Sequence, residues 1–89
     1  MSVFVVEGKQ YEIIIASDVS SRDGIGAELW DTDSNEMIVE AFRDDTLRKL
    51  TLFVAKQIAI PLELLDKLLQ AFDEIPGRTF IDYDSLEQM

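Results

Sequence analysis

Residues 25–42, IGAELWDTDSNEMIVEAF, decide how this chain folds. An apolar side chain recurs at every second position through residues 25–29 and again through residues 37–41. A period of two predicts strands that turn one face towards a core. The polar residues between them, DTDSN, are typical of a turn, because Asp and Asn side chains bond to their own backbone. The stretch therefore predicts an antiparallel hairpin.

A second hairpin is predicted before this one. Residues 3–6 and 11–16 are apolar runs rich in Val and Ile, and the polar segment EGKQ separates them. Two such runs around a Gly-containing turn indicate paired strands. Residues 17–24 collect Ser, Asp and Arg and end in Asp23-Gly24, which predicts a loop between the two hairpins.

Residues 47–58 fit two structures. Leu50, Leu52 and Val54 alternate with other side chains as in a strand, whereas an apolar stripe from Leu47 to Ile58 fits a helix. Thr, Phe and Val favour extended chain, and Leu, Ala, Lys and Gln favour a helix. We favour the strand because it continues the series of hairpins.

The clearest predicted element is a helix over residues 61–75. Pro61 suits a first helical position, and the apolar residues that follow fill half of the helical wheel, opposite the charged half. Pro76-Gly77 ends the helix. Residues 78–83 then predict a short strand or a docked tail.

These elements predict one α+β domain over residues 1–89: an antiparallel β-meander of four to five strands, with one C-terminal amphipathic helix on one face and a short terminal strand or tail. The second face of the sheet is also predicted to be apolar, because some side chains have the opposite parity to the main stripes. Either the tail or a second copy of the chain covers it. The residues of opposite parity are Ile14, Ile38, Phe42 and Phe53.

Composition limits the chemistry. The 89 residues include no His and no Cys, and the formal net charge is -10. The chain therefore has no imidazole proton shuttle, no thiol nucleophile, and neither imidazole nor thiolate as a metal ligand. A hydrophobic fraction of 47% is too high for a disordered acidic tail, so the chain is expected to fold. We expect a protein that is not an enzyme and uses no cofactor.

The sign of the charge limits the partners. Acidic proteins repel nucleic-acid phosphate and anionic membrane surfaces, so we expect neither as a ligand. A basic protein partner is expected instead, because opposite charges steer association. The sequence shows no secretion signal and no apolar run long enough for a membrane span, so we expect a cytoplasmic protein. One basic island is interpreted as internal charge balance. It comprises Arg43, Arg48, Lys49 and Lys56.

Several short motifs resemble chemical sites without completing them. Asp31-x-Asp33-x-Asn35 matches the start of a calcium loop, but Glu36 and Phe42 stand where the loop needs Gly and Glu. An Asx-rich turn explains the same residues, so we expect no metal site. The carboxylate pairs Asp44-Asp45 and Asp82-x-Asp84 are expected in polar turns, where solvent keeps carboxylates at ordinary acidity. Ser20-Ser21 has no base nearby in sequence, and Gly24-x-Gly26 lacks the rest of a phosphate-binding fingerprint, so both are expected to be ordinary turn residues.

Trp30 is the candidate interface anchor. It is the one Trp of the chain and alternates with the predicted core residues of its strand. Trp and Tyr dominate binding hot spots, although a half-buried packing role would also explain Trp30. We expect a small acidic binding protein, of an immunity, antitoxin or inhibitor type, that docks a basic protein partner. The alternative is a structural homo-oligomer, such as a homodimer, whose acidic surface confers solubility. The expected partner-binding residues are Trp30, Asp31, Asp33, Tyr11, Tyr83, Asp82 and Asp84.

Overall fold

The computed structural model describes residues 2–20 and 22–81. Five antiparallel strands form one sheet in sequence order, and one helix follows them. This is the predicted α+β meander with a single C-terminal helix. The elements are β1 (Ser2–Val6), β2 (Lys9–Asp18), β3 (Gly24–Asp31), β4 (Glu36–Asp44), β5 (Lys49–Val54) and α1 (Leu62–Glu74).

Tight turns join three of the strand pairs. Glu7 and Gly8 both have positive φ, 52° and 77°, which is the two-residue turn that matches the twist of paired strands. Asn35 closes the β3–β4 turn at φ 56°, a conformation that Asn tolerates better than most residues. Arg48 has φ 53° immediately before β5. Both predicted hairpins are confirmed.

The ambiguous segment contains strand β5. It pairs antiparallel with β4, from Asp44 opposite Lys49 to Val39 opposite Val54. The strand prediction for this part of residues 47–58 is therefore confirmed. Long-range pairing decides the outcome, because the local helix and strand preferences are nearly balanced.

Helix α1 packs on one face of the sheet. Leu64, Leu68 and Phe72 are its buried residues, and they belong to one core cluster with Leu29 and Val39 of the central strands. The helix contacts β3 most, and also β2 and β4. The core therefore lies between α1 and the middle of the sheet.

A β-bulge corrects one predicted orientation. The pairing of β3 with β4 shifts between Leu29 and Trp30, because Leu29 lies opposite Val39 while Trp30 lies opposite Met37. Ile38 is the extra residue and is 1% exposed within the core cluster. Simple alternation predicts Ile38 on the second face of the sheet. A bulge breaks that alternation, so Ile38 packs in the core.

A buried ion pair fixes the segment after α1. The Arg43 Nε and Asp45 Oδ1 atoms are 2.9 Å apart, and both side chains are less than a tenth exposed. Arg43 Nη1 donates to the carbonyls of Pro76 and Thr79, and the Ile81 amide donates to Asp45 Oδ1. Residues 76–81 are therefore docked on the sheet and form no strand. The rest of the predicted tail lies outside the described residues.

Removing the buried carboxylate should strongly destabilise the fold. Asp45→Ala leaves the Arg43 guanidinium buried without its counter-ion, which costs about 3–5 kcal/mol of unfolding free energy. Urea unfolding measures this loss. The exposed control Asp33→Ala should stay within about 0.5 kcal/mol of the parent protein. Equal effects of the two variants would contradict this role of Asp45.

Candidate functional site

The face of the sheet opposite α1 carries the candidate site, and we call it the open face. Strand pairing places side chains of opposed residues on the same face. One row across the sheet runs from Ile14 through Glu28 and Glu40 to Phe53. A neighbouring row places Trp30 between two other strands. Trp30 lies opposite Glu12 of β2 and Met37 of β4.

One arginine covers part of the open face. The Arg22 guanidinium carbon lies 3.8 Å from the centre of the Phe42 ring, within cation–π range. Arg22 also donates to both Glu40 oxygens, at 2.9 and 3.2 Å, and to Asp18 at 3.2 Å. Gly26 leaves the space that the ring needs, because a Cβ there would lie 2.9 Å from Phe42. The β2–β3 loop thus buries Phe42 without a second layer of structure.

The charges of this cluster reinforce one another. Hydrogen bonds from Ser20 and then from Arg22 lower the pKa of Asp18 below its ordinary value. The hydrogen bonds to Glu40, followed by those to Asp18, raise the pKa of Arg22. The Arg22 guanidinium is therefore paired with the carboxylates of Glu40 and Asp18.

Glu28 lies in a groove beside this cluster. Its carboxylate accepts a hydrogen bond from Trp30 Nε1 at 3.0 Å and stands directly opposite Glu40 across the strands. Like charges placed opposite each other repel. The ion pair with Arg22 offsets the charge of Glu40, but within residues 2–20 and 22–81 no cation forms an ion pair with Glu28. The groove measures about 480 Å³, and its lining residues are Arg22, Glu28, Met37, Glu40, Thr51, Leu52 and Phe53.

Asp31 and Asp33 have different surroundings. Asp31 is 5% exposed, forms a 2.7 Å ion pair with Lys9, and accepts the amides of Asp33 and Ser34. The hydrogen bond from Lys9, more than the two turn amides, holds the pKa of Asp31 below its ordinary value. Asp33 is exposed on the same turn. The DTDSN segment therefore forms the predicted Asx-type turn, with Asp31 already engaged inside the protein.

The other expected contact residues do not meet at Trp30. Tyr11 is 8% exposed in the core cluster, and its ring stacks 6.3 Å from that of Phe4. We leave Tyr11 out of the candidate surface because a buried ring offers a partner little contact. Tyr83, Asp82 and Asp84 lie outside the described residues.

The two carboxylates of the Asp44-Asp45 pair have different environments. Asp45 is buried against Arg43, whereas Asp44 accepts the Leu47 amide in an exposed turn. Within the part of the chain that the structure describes, no group of three acidic side chains is arranged to hold a metal ion. The helix described here is too short and too polar to cross a membrane.

Sequence reasoning missed most of the groove. The two-residue spacing of Glu28 and Trp30 on one strand was a usable signal, since it places both on one face. Nothing local signalled that Arg22 folds back onto Phe42, because that contact joins a loop to a distant strand.

Strand β5 forms a second exposed feature at the edge of the sheet. Four of its apolar side chains are between 45% and 55% exposed. On the helix side, a groove of about 290 Å³ separates β5 from α1. An exposed apolar edge strand can pair with another chain. The four residues are Leu50, Leu52, Phe53 and Val54.

Comparisons with known proteins supply no relative: no family model, curated protein or solved structure matches this chain.

The Lys9–Asp31 ion pair should make the free energy of unfolding depend on pH. Because the pKa of Asp31 is lower in the folded chain than in the unfolded chain, its contribution is present above the ordinary Asp value of about 3.9 and is lost as pH falls through the folded value. The stability advantage of the parent protein over Asp31→Asn should therefore shrink between about pH 5 and about pH 2. Urea unfolding across that range measures it.

The partner variant provides the matched control. Lys9→Gln removes the principal cause of the lowered pKa, so it should also flatten the acid dependence of stability. An advantage over Asp31→Asn that stays constant as pH falls would contradict the ion pair.

Proposed function

We propose that this chain is a small non-enzymatic binding protein that docks a basic protein partner on its open face. The observation that carries the proposal is the grouping of Trp30 with Glu12 and Glu28 on a face that α1 does not cover. Trp is one of the residues that most often anchor protein-binding hot spots, and the rim of such an interface is polar.

The charges of the open face support a basic partner. Strand pairing places five carboxylates on this face, with Arg22 folded over it and Lys49 at its edge as the balancing cations. The surface thus stays acidic after internal pairing. Complementary potential raises the rate and the specificity of docking. The carboxylates are Glu12, Asp18, Glu28, Glu40 and Asp44.

A role as an immunity protein, antitoxin or inhibitor fits this surface. A small acidic protein can cover a basic surface that would otherwise bind nucleic acid, because both ligands compete for the same Lys and Arg side chains. We place this activity in the cytoplasm, because cytoplasmic proteins rarely contain disulfides and this chain has no Cys.

Capture from native lysate at low salt tests the proposed surface. Trp30→Ala removes the anchor and Glu28→Lys reverses a groove charge, so both should reduce recovery of a basic partner at least about tenfold. Recovery by the parent protein should also fall as salt rises from about 50 mM to about 500 mM. Quantitative mass spectrometry of the captured proteins gives the readout.

Glu63→Lys is the matched control, since it makes the same change in net charge on the exposed side of α1. It should capture as the parent protein does. Equal losses in Glu28→Lys and Glu63→Lys would show that only net charge matters. Unchanged capture by Trp30→Ala and Glu28→Lys would contradict docking on the open face.

Strand β5 favours a second candidate, a structural homodimer in which β5 of one copy pairs with β5 of another. The observation behind it is the exposed apolar edge, from Leu50 to Val54. Size-exclusion chromatography with light scattering should then show a dimer at about 100 μM. The dimer should persist in high salt, because salt screens charges and does not weaken apolar contacts.

Phe53→Lys should give a monomer, since Lys on an edge strand blocks pairing. Val5→Lys on the opposite edge strand is the control and should remain dimeric. A parent protein that is monomeric at every concentration would contradict this second candidate.

A further inference from the structure

We infer that the groove beside Trp30 binds one arginine side chain of the partner, with its guanidinium on the Glu28 carboxylate. This inference rests on the proposed docking function and specifies what the open face recognises. The supporting observations are the charge balance of the groove, its apolar walls, and an arginine that the same face already holds.

Arg22 shows how this face holds a guanidinium. Its two Nη atoms meet the two Glu40 oxygens while the planar group lies over the Phe42 ring. The guanidinium is thus held between the Phe42 ring and the Glu40 carboxylate, with Asp18 as a second carboxylate on its Nε atom. Guanidinium groups suit this arrangement because they are planar, pair bidentately with carboxylates and are weakly hydrated.

Glu28 repeats half of that arrangement one strand away. It stands opposite Glu40, and one of its oxygens is held by the Trp30 indole. A single indole N–H leaves most of the acceptor capacity of an ionised carboxylate for another donor. Together with Glu28, the charges of the cluster on Arg22, Asp18 and Glu40 sum to -2. A further cation at Glu28 would therefore reduce the repulsion across the strands.

The walls of the groove suit the stem of an arginine. Met37 and Phe53 are apolar side chains that line it, Phe53 in the same row beyond Glu40 and Met37 in the neighbouring row. Arginine buries its three methylene groups along such surfaces while its head reaches a charge. Trp30 is next to the groove, since it lies opposite Met37 and its indole N–H donates to Glu28. A volume of about 480 Å³ also leaves room for the partner backbone beside the side chain.

A pentapeptide titration tests the inference directly. The probe is GGRGG, acetylated and amidated at its ends, and the control peptide carries citrulline, the uncharged analogue, in place of arginine. Trp30 is the one Trp, so its fluorescence and its indole N–H resonance report on this groove. We expect saturable binding of GGRGG in the millimolar range and at least about tenfold weaker binding of the citrulline peptide.

The variants separate the site from general attraction to an acidic protein. Glu28→Gln keeps an oxygen for the indole but removes the charge, so it should reduce GGRGG binding to the level of the citrulline peptide. Glu63→Gln makes the same change in net charge on α1 and should bind as the parent protein does. The indole resonance of each unliganded variant confirms that the groove is intact.

Each other outcome overturns the inference. GGRGG that does not bind, or binds no better than the citrulline peptide, excludes an arginine site. Equal binding of GGRGG and GGKGG shows that any cation suffices, and full binding by Glu28→Gln places the contact elsewhere. If capture from lysate still depends on Trp30 in those cases, the docking function stands without the arginine. If the peptide binds as expected but capture does not depend on Trp30, the docking function fails instead.

Discussion

One helix is narrower than the five-stranded sheet, and this difference in width determines which surfaces of the sheet are covered. An α-helix with its side chains is about 10–12 Å across, whereas five strands about 4.8 Å apart extend over roughly 19 Å. Helix α1 therefore covers the middle strands on one side, where Leu29 is fully buried. It leaves β5 and the whole opposite face without a helical layer. Three features result because no helix covers these regions. Arg22 packs over Phe42, a groove stays open at Glu28, and strand β5 is exposed at the edge of the sheet.

The chain compensates on the open face with charge rather than with more apolar structure. Arg22 buries Phe42 by stacking on its ring, and Glu40 and Asp18 fix the guanidinium in place. That solution uses one cation against two carboxylates. It leaves Glu28, next to Trp30, as a carboxylate held by an indole N–H alone among its described contacts. A surface with uncompensated negative charge around an aromatic ring is suited to contact with a basic molecule, and we base the proposed function on this property.

Local patterns were sufficient to predict the order of elements. Alternation and turn residues predicted both hairpins, and the apolar half-wheel predicted α1 close to its observed bounds. The patterns failed where distant segments meet. The bulge at Leu29 moves Ile38 into the core, and alternation alone cannot signal a bulge. Tyr11 was expected at a surface but lies under α1, because β2 turns that parity towards the helix. The same alternation places Trp30 and Glu28 together on the open face, but it does not reveal the hydrogen bond that joins their side chains.

Carboxyl footprinting in native lysate can show which face of the sheet a partner covers, because an acid-rich chain offers labelling sites on both sides of the sheet. Carbodiimide coupling of a neutral amine would be compared between the purified protein and the protein in low-salt lysate. If a partner docks on the open face, Glu12 and Glu28 should lose labelling in lysate, whereas Glu63 and Asp66 on α1 should keep it. Protection on α1 with full labelling of Glu12 and Glu28, or equal labelling in both samples, would contradict the open face as the contact surface.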